Sequence, residues 1–76
     1  VIEKWEFYPR DRRYLSAPME QGRRYRIFRN HGWWTAQYIR YQTQILMGNV
    51  LAYVGSYKTP AEAMRACQKH DMERAA

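Results

Sequence analysis

Arg24-Tyr25-Arg26-Ile27-Phe28-Arg29, then Asn30-His31-Gly32, then Trp33-Trp34-Thr35-Ala36-Gln37-Tyr38-Ile39-Arg40 is the stretch on which the fold of this chain turns. Strict alternation over residues 24–29 puts Tyr25 and Ile27 on one side of an extended run and Arg24, Arg26 and Phe28 on the other, the pattern of a half-buried antiparallel strand. Asn30-His31-Gly32 tolerates the positive φ that a tight hairpin requires, so the chain is expected to reverse there. The returning strand, Trp33 to Gln42, separates Trp34, Ala36, Tyr38 and Arg40 from Trp33, Thr35, Gln37, Ile39 and Tyr41. The first set reads as the core side, because Ala36 leaves room for a helix to approach.

Beyond this hairpin comes a loose stretch from Thr43. Gly48-Asn49 is a second turn signal, and a third strand runs from Val50 to Tyr57, with Gly55 marking a bulge or a close approach of the helix. The helix start is well defined. Thr59 is placed to accept the amide of Glu62, Glu62 to reach back to Thr59, and Pro60 stands where a missing N–H costs nothing. Ala63, Ala66, Cys67 and His70 then share one face with Met64 beside them, while Arg65, Gln68, Lys69 and Glu73 take the opposite side.

On the amino side, Val1 to Tyr8 is a further strand candidate, with Trp5 and Phe7 on one side of an extended run. Residues 9–22, with Pro9, Arg10-Asp11-Arg12-Arg13, Pro18 and Gly22, read as an irregular basic linker. The expected fold is α+β: a three-stranded antiparallel sheet packed on one C-terminal helix over residues 23–76, preceded by an extension over 1–22 whose first run is a candidate additional strand.

A chain of 76 residues has room for one thin core and little for an enclosed catalytic pocket. Thirteen Lys and Arg against seven Asp and Glu give a net charge of +6, which attracts polyanions over a distance. The single cysteine, Cys67, excludes an internal disulfide, and no Cys/His cluster suggests a metal; no cofactor or small-molecule substrate is expected. No apolar run approaches the roughly eighteen residues of a membrane span, and the amino end lacks a secretory pattern, so the expected compartment is cytoplasmic, or nucleoid or nuclear when bound to DNA. Glu3 and Glu6 have no useful partner, Glu62 belongs to the cap, and Cys67 and His70 read as packing residues. His31 reads as a solvated turn residue. Catalysis is not expected.

Tyr25-Arg26-Ile27-Phe28-Arg29, Trp34-Thr35-Ala36 with Ile39-Arg40, Tyr53-Val54-Gly55-Ser56-Tyr57-Lys58-Thr59 and Glu62-Ala63 together resemble the APETALA/ethylene-response-factor type of DNA-binding domain, whose relatives occur in plants, mobile elements and phage homing proteins. The chain is more loosely similar to the arm-binding module at the amino end of tyrosine-type phage integrases. The first resemblance implies that the sheet enters the major groove of duplex DNA while the helix packs behind. It points to Arg26 and Arg29 on the first strand, Trp33 at the hairpin, Arg40 at the end of the second strand and Tyr53 on the third. Ile27 stands where that family has Gly, Leu51 where it has a basic residue and Gln37 where it has an acidic one.

Arg suits the role because its planar fork can bond a guanine edge or a phosphate through two parallel hydrogen bonds. The expected function is therefore non-enzymatic binding of duplex DNA through Arg24, Arg26, Arg29, Arg40, Trp33 and Tyr53, with Arg12 and Arg13 as an arm. Ideal alternation puts Arg26 and Arg29 on opposite sides, so both reach DNA only with a twist or bulge near Phe28. The alternative is a small phage or mobile-element protein that binds and inhibits a host complex through an acidic surface. The 16% aromatic content supplies exposed rings to either reading.

Overall fold

The computed structural model describes Ile2 and residues 4–41 and 48–75. The end of the second expected strand at Gln42 and most of the loose stretch from Thr43 lie outside those residues. Among the described residues five strands follow one another as an antiparallel meander: β1 (Trp5–Tyr8), β2 (Arg13–Ser16), β3 (Arg23–Asn30), β4 (Trp33–Tyr41) and β5 (Gly48–Tyr57). Among the described residues one α-helix, α1 (Pro60–Ala75), follows β5 and packs across β3, β4 and β5. Among the described residues no helix is long and apolar enough to cross a membrane.

Three expectations are corrected. The sheet has five strands rather than three, because the run read as a basic linker supplies β2, and β1 and β2 pair as a hairpin with Trp5 opposite Ser16 and Tyr8 opposite Arg13. Turn-forming residues had masked this short strand: Arg12 takes φ 48° and its amide reaches the Pro9 carbonyl, so Pro9 to Arg12 is a tight reversal and not the start of a linker. Gly48-Asn49 is the beginning of β5, paired with Tyr41 and Arg40, and not a turn.

The β3–β4 hairpin forms as its sequence requires. His31 (φ 52°) and Gly32 (φ 82°) are both left-handed, the arrangement of a two-residue turn whose twist matches the strands. The cluster beneath the helix lies where alternation puts it: Tyr25, Ile27, Trp34, Ala36 and Tyr38 from the sheet meet Ala63 and Cys67 from α1, joined by Ile2, while Ile39, read onto the opposite side, is buried there together with Leu15. Ala36 and Gly55 face each other across β4 and β5, so the helix meets a floor of small groups. Gly55 has a further reason. A side chain there would meet the Tyr57 ring, its Cβ 2.5 Å from the hydroxyl oxygen.

Two interactions tie the amino-terminal strands to the rest. The Ser16 hydroxyl accepts the Tyr25 amide at 2.8 Å, and the Ser16 carbonyl accepts the Arg24 Nε at 2.8 Å, so a buried serine continues the β2–β3 pairing beyond Leu15. At the helix, the Gln68 side-chain amide bonds both backbone groups of Ile2, accepting at 3.2 Å and donating at 2.6 Å. Gln68, expected on the outer face of α1, thus stands in for a strand partner. The helix start is as expected in one respect: the Thr59 hydroxyl accepts the Glu62 amide at 3.2 Å. The buried stripe continues past Cys67 to Asp71, 3% exposed, which accepts from Arg74 at 2.8 Å.

Candidate functional site

With α1 on one side, the other face of the sheet is assembled from rows of directly opposed residues. One row reads Tyr8, Arg13, Phe28, Thr35, Ser56; the next reads Glu6, Leu15, Arg26, Gln37, Tyr53; a third carries Arg24, Ile39 and Val50. Cations and rings interleave along these rows. The Arg13 guanidinium lies 5.1 Å from the Tyr8 ring centre and that of Arg26 5.4 Å from Phe28, while the Arg26 guanidinium also donates to the Gln37 side-chain oxygen at 2.5 Å.

Strand β5 gains its place on this face through irregularity. Its register skips one residue between Gly55 and Tyr53 and another between Ala52 and Val50, so Val54 and Leu51 are the extra residues of two bulges. The first bulge brings Tyr53 and Ser56, three apart in sequence, to the same side. Their hydroxyl oxygens lie 2.5 Å apart, and Ser56 continues to the Thr35 hydroxyl at 3.2 Å. Tyr53 is 62% exposed and Trp33 47%.

Two hollows mark the face. Asp11, Arg13, Arg26 and Phe28 line a shallow groove of about 270 Å3. Asn30, His31, Trp33, Thr35 and Ser56 line a shallow depression of about 370 Å3 at the hairpin end. The opposed pair Phe28 and Thr35 joins them.

The residues singled out from sequence divide among three places. Arg13, Arg26, Trp33 and Tyr53 stand on the face opposite the helix. Arg24 is on that face too, but it is engaged internally: its guanidinium bonds the Ser16 carbonyl and lies 3.6 Å from the Glu6 carboxylate, holding β1, β2 and β3 together. Arg29 and Arg40 share the helix side with Trp34 and Tyr38. The Arg29 guanidinium sits 5.7 Å from the Trp34 ring centre, and no bulge near Phe28 turns it over, because β3 and β4 keep an unbroken register from Arg23 to Asn30. Arg12 lies in the β1–β2 turn.

That turn, the β3–β4 hairpin and the start of α1 share one end of the sheet, because the meander reverses there on alternate connections. Arg10, Arg12, Arg29 and Lys58 are exposed at this end. The face itself is nearer to balance, with Arg13, Arg24 and Arg26 accompanied by Glu6 and Asp11; Asp11 lies 3.6 Å from Arg13.

Sequence reasoning passed over Thr35, Ser56 and Asn30 as site residues. Alternation already placed Thr35 beside Trp33; Gly55 signalled a bulge in β5, but not that the extra residue is Val54 or that Ser56 thereby joins Tyr53 on this face. Burial pushes the Cys67 thiol up to about 12, so it stays protonated at neutral pH. His70 instead shares a 2.6 Å hydrogen bond between its Nδ1 and the Tyr25 hydroxyl. Among the described residues no group of His, Cys, Asp and Glu is placed to hold a metal ion. The architecture defines a small α+β protein, a five-stranded antiparallel meander with one C-terminal helix; no protein-family model, curated protein or solved structure matches the chain.

Proposed function

We propose that this is a non-enzymatic DNA-binding domain that receives duplex DNA on the sheet face opposite α1. The observation that carries this reading is the interleaving of Arg13 and Arg26 with Tyr8, Phe28, Trp33 and Tyr53 on the sheet face opposite α1, beside the buried Leu15 and Ile39, with Arg10, Arg12, Arg29 and Lys58 exposed at the hairpin end. Guanidinium groups neutralise phosphates and can bond base edges, and a net charge of +6 draws the polymer in. Arg24 contributes by fixing the strands.

Anisotropy titration of a short duplex at several salt concentrations tests the reading. Log affinity is expected to fall linearly with log salt, with a slope of about −0.9 per neutralised phosphate, and Arg26→Ala and Arg13→Ala should each make that slope shallower by about 1. Affinity indifferent to salt, or unaffected by both substitutions in folded protein, would refute it.

A second reading, a protein-interaction module directed at an acidic host surface, is favoured by one observation. Val50 and Leu51 are about half exposed on β5 next to Tyr53, an apolar group that phosphate binding does not use. Duplex binding that survives Val50→Ser and Leu51→Ser while binding to a protein target is lost would separate the two surfaces.

A further inference from the structure

We infer that the depression beside Trp33 is a site for an unpaired nucleobase, so that DNA containing a single-stranded stretch is taken in preference to closed duplex; this rests on the DNA-binding reading above. The lining has the chemistry of such a site. Trp33 offers an indole that is 47% exposed and no part of the core, and the exposed Asn30 and Ser56 border it with groups that both donate and accept hydrogen bonds, Ser56 being held in place by the buried Thr35 hydroxyl. A base edge needs both. At about 370 Å3 the hollow falls within the range of ligand clefts.

Tyr53 supplies a second ring. The β5 bulge sets it on this face, and its hydroxyl contact with Ser56 tilts the side chain along the strand toward the depression. Trp33 and the Gln37 position opposite Tyr53 are four residues apart on β4, about 13 Å of strand, and the lean of Tyr53 shortens the gap between the rings. The neighbouring groove brings Arg13 and Arg26 to the far side of the Phe28–Thr35 pair, where the phosphates flanking a bound base would lie.

The preference for unpaired bases follows from what each polymer can present. In closed duplex every base face is covered by its neighbours, so exposed Trp33 and Tyr53 have nothing to stack on; an unpaired base offers both its face and its pairing edge. The sheet face also carries Glu6 and Asp11 against three guanidinium groups, which limits what Coulomb attraction alone contributes there. Stacking does not depend on that balance.

The experiment compares a short duplex, the same duplex with a central single-stranded gap, and the isolated single strand. It uses the full chain, its Trp33→Leu, Trp33→Phe and Tyr53→Leu variants, and thermal melts to establish that each is folded. The gapped duplex is expected to bind about tenfold more tightly than the closed one, in line with the contribution of a stacked base. Trp33→Leu and Tyr53→Leu should bring that ratio toward one, and Trp33→Phe should keep most of it. In a Trp5→Phe background, gapped DNA should quench the exposed Trp33 emission, a reading that needs no substitution at the site. Equal affinity for gapped and closed duplex, or a preference that survives both Leu variants, would overturn the base site while leaving duplex binding intact. Failure to bind any of the three polymers would overturn the DNA-binding reading itself.

Discussion

Tyr25 and Tyr38 stand opposite each other on β3 and β4 with ring centres 4.9 Å apart, yet their hydroxyls have different fates. Tyr25 shares its hydroxyl with the His70 ring at 2.6 Å, whereas the Tyr38 hydroxyl is buried with no hydrogen-bond partner among the described residues. A buried polar group without a partner is a cost, and a bonded one a modest gain. Tyr25→Phe should therefore destabilise by about 1 kcal/mol, while Tyr38→Phe should be neutral or stabilise by up to about 1 kcal/mol. Urea denaturation of the two variants decides it, and the reverse order would contradict this arrangement of the core. The same contrast separates the arginines. Alternation correctly divided Arg24 and Arg26 from Tyr25 and Ile27, but it carries no information on whether a guanidinium meets solvent or a neighbouring carboxylate. Arg24 is committed by Glu6 on β1 and Ser16 on β2, which reach it only because both strands fold onto the sheet.

At the scale of elements, the β3–β4 hairpin is the part most directly written in the sequence. Its two central residues are both left-handed, which suits Gly32 and strains His31, since a side chain other than Gly, Asn or Asp pays about 1–2 kcal/mol in that region. Replacing His31 with Asn makes the favoured Asn-Gly pair, so His31→Asn should raise stability by up to about 1 kcal/mol, measured as a higher denaturant midpoint with an unchanged slope. A lower midpoint would mean that the imidazole makes a contact worth more than the backbone strain. The helix was equally legible, because Thr59 and Pro60 act within one turn. Strand β2 was not, since four residues between two turns are too few to show a period and only pairing with β1 and β3 makes them a strand. Gly55 hinted at the first bulge of β5, but its position at Val54 and the second bulge at Leu51 were not legible for a related reason: an extra residue is defined against a partner strand, and a strand read alone has none.

For the whole molecule, burial of ionisable groups sets the response to alkali. Burial raises Tyr25 from 10.0 to about 12 and Cys67 from 9.0 to about 12. Both are neutral when protonated, so the folded state binds these protons more tightly than the unfolded chain does. Their contribution is complete below pH 9 and is lost as pH rises through 9–12. The denaturant midpoint should fall steadily over that window, and Cys67→Ala, which removes the lower-pKa group, should move the onset from near 9 to near 10. Stability that stays flat to pH 12 would show that neither group is buried as described.

Local rules were enough for the hairpin, the helix start, the core face of β3 and β4 and the net charge, because each depends on residues a few positions apart and on the periods of strand and helix. The joining of β1 and β2 to the sheet, the pinning of Ile2 by Gln68, the internal use of Arg24 and the meeting of Tyr53 with Ser56 were decided only by the tertiary structure. Each of these depends on a partner strand or helix that the local sequence does not name: even Tyr53 and Ser56, three residues apart, meet only because the register against β4 puts the extra residue between them.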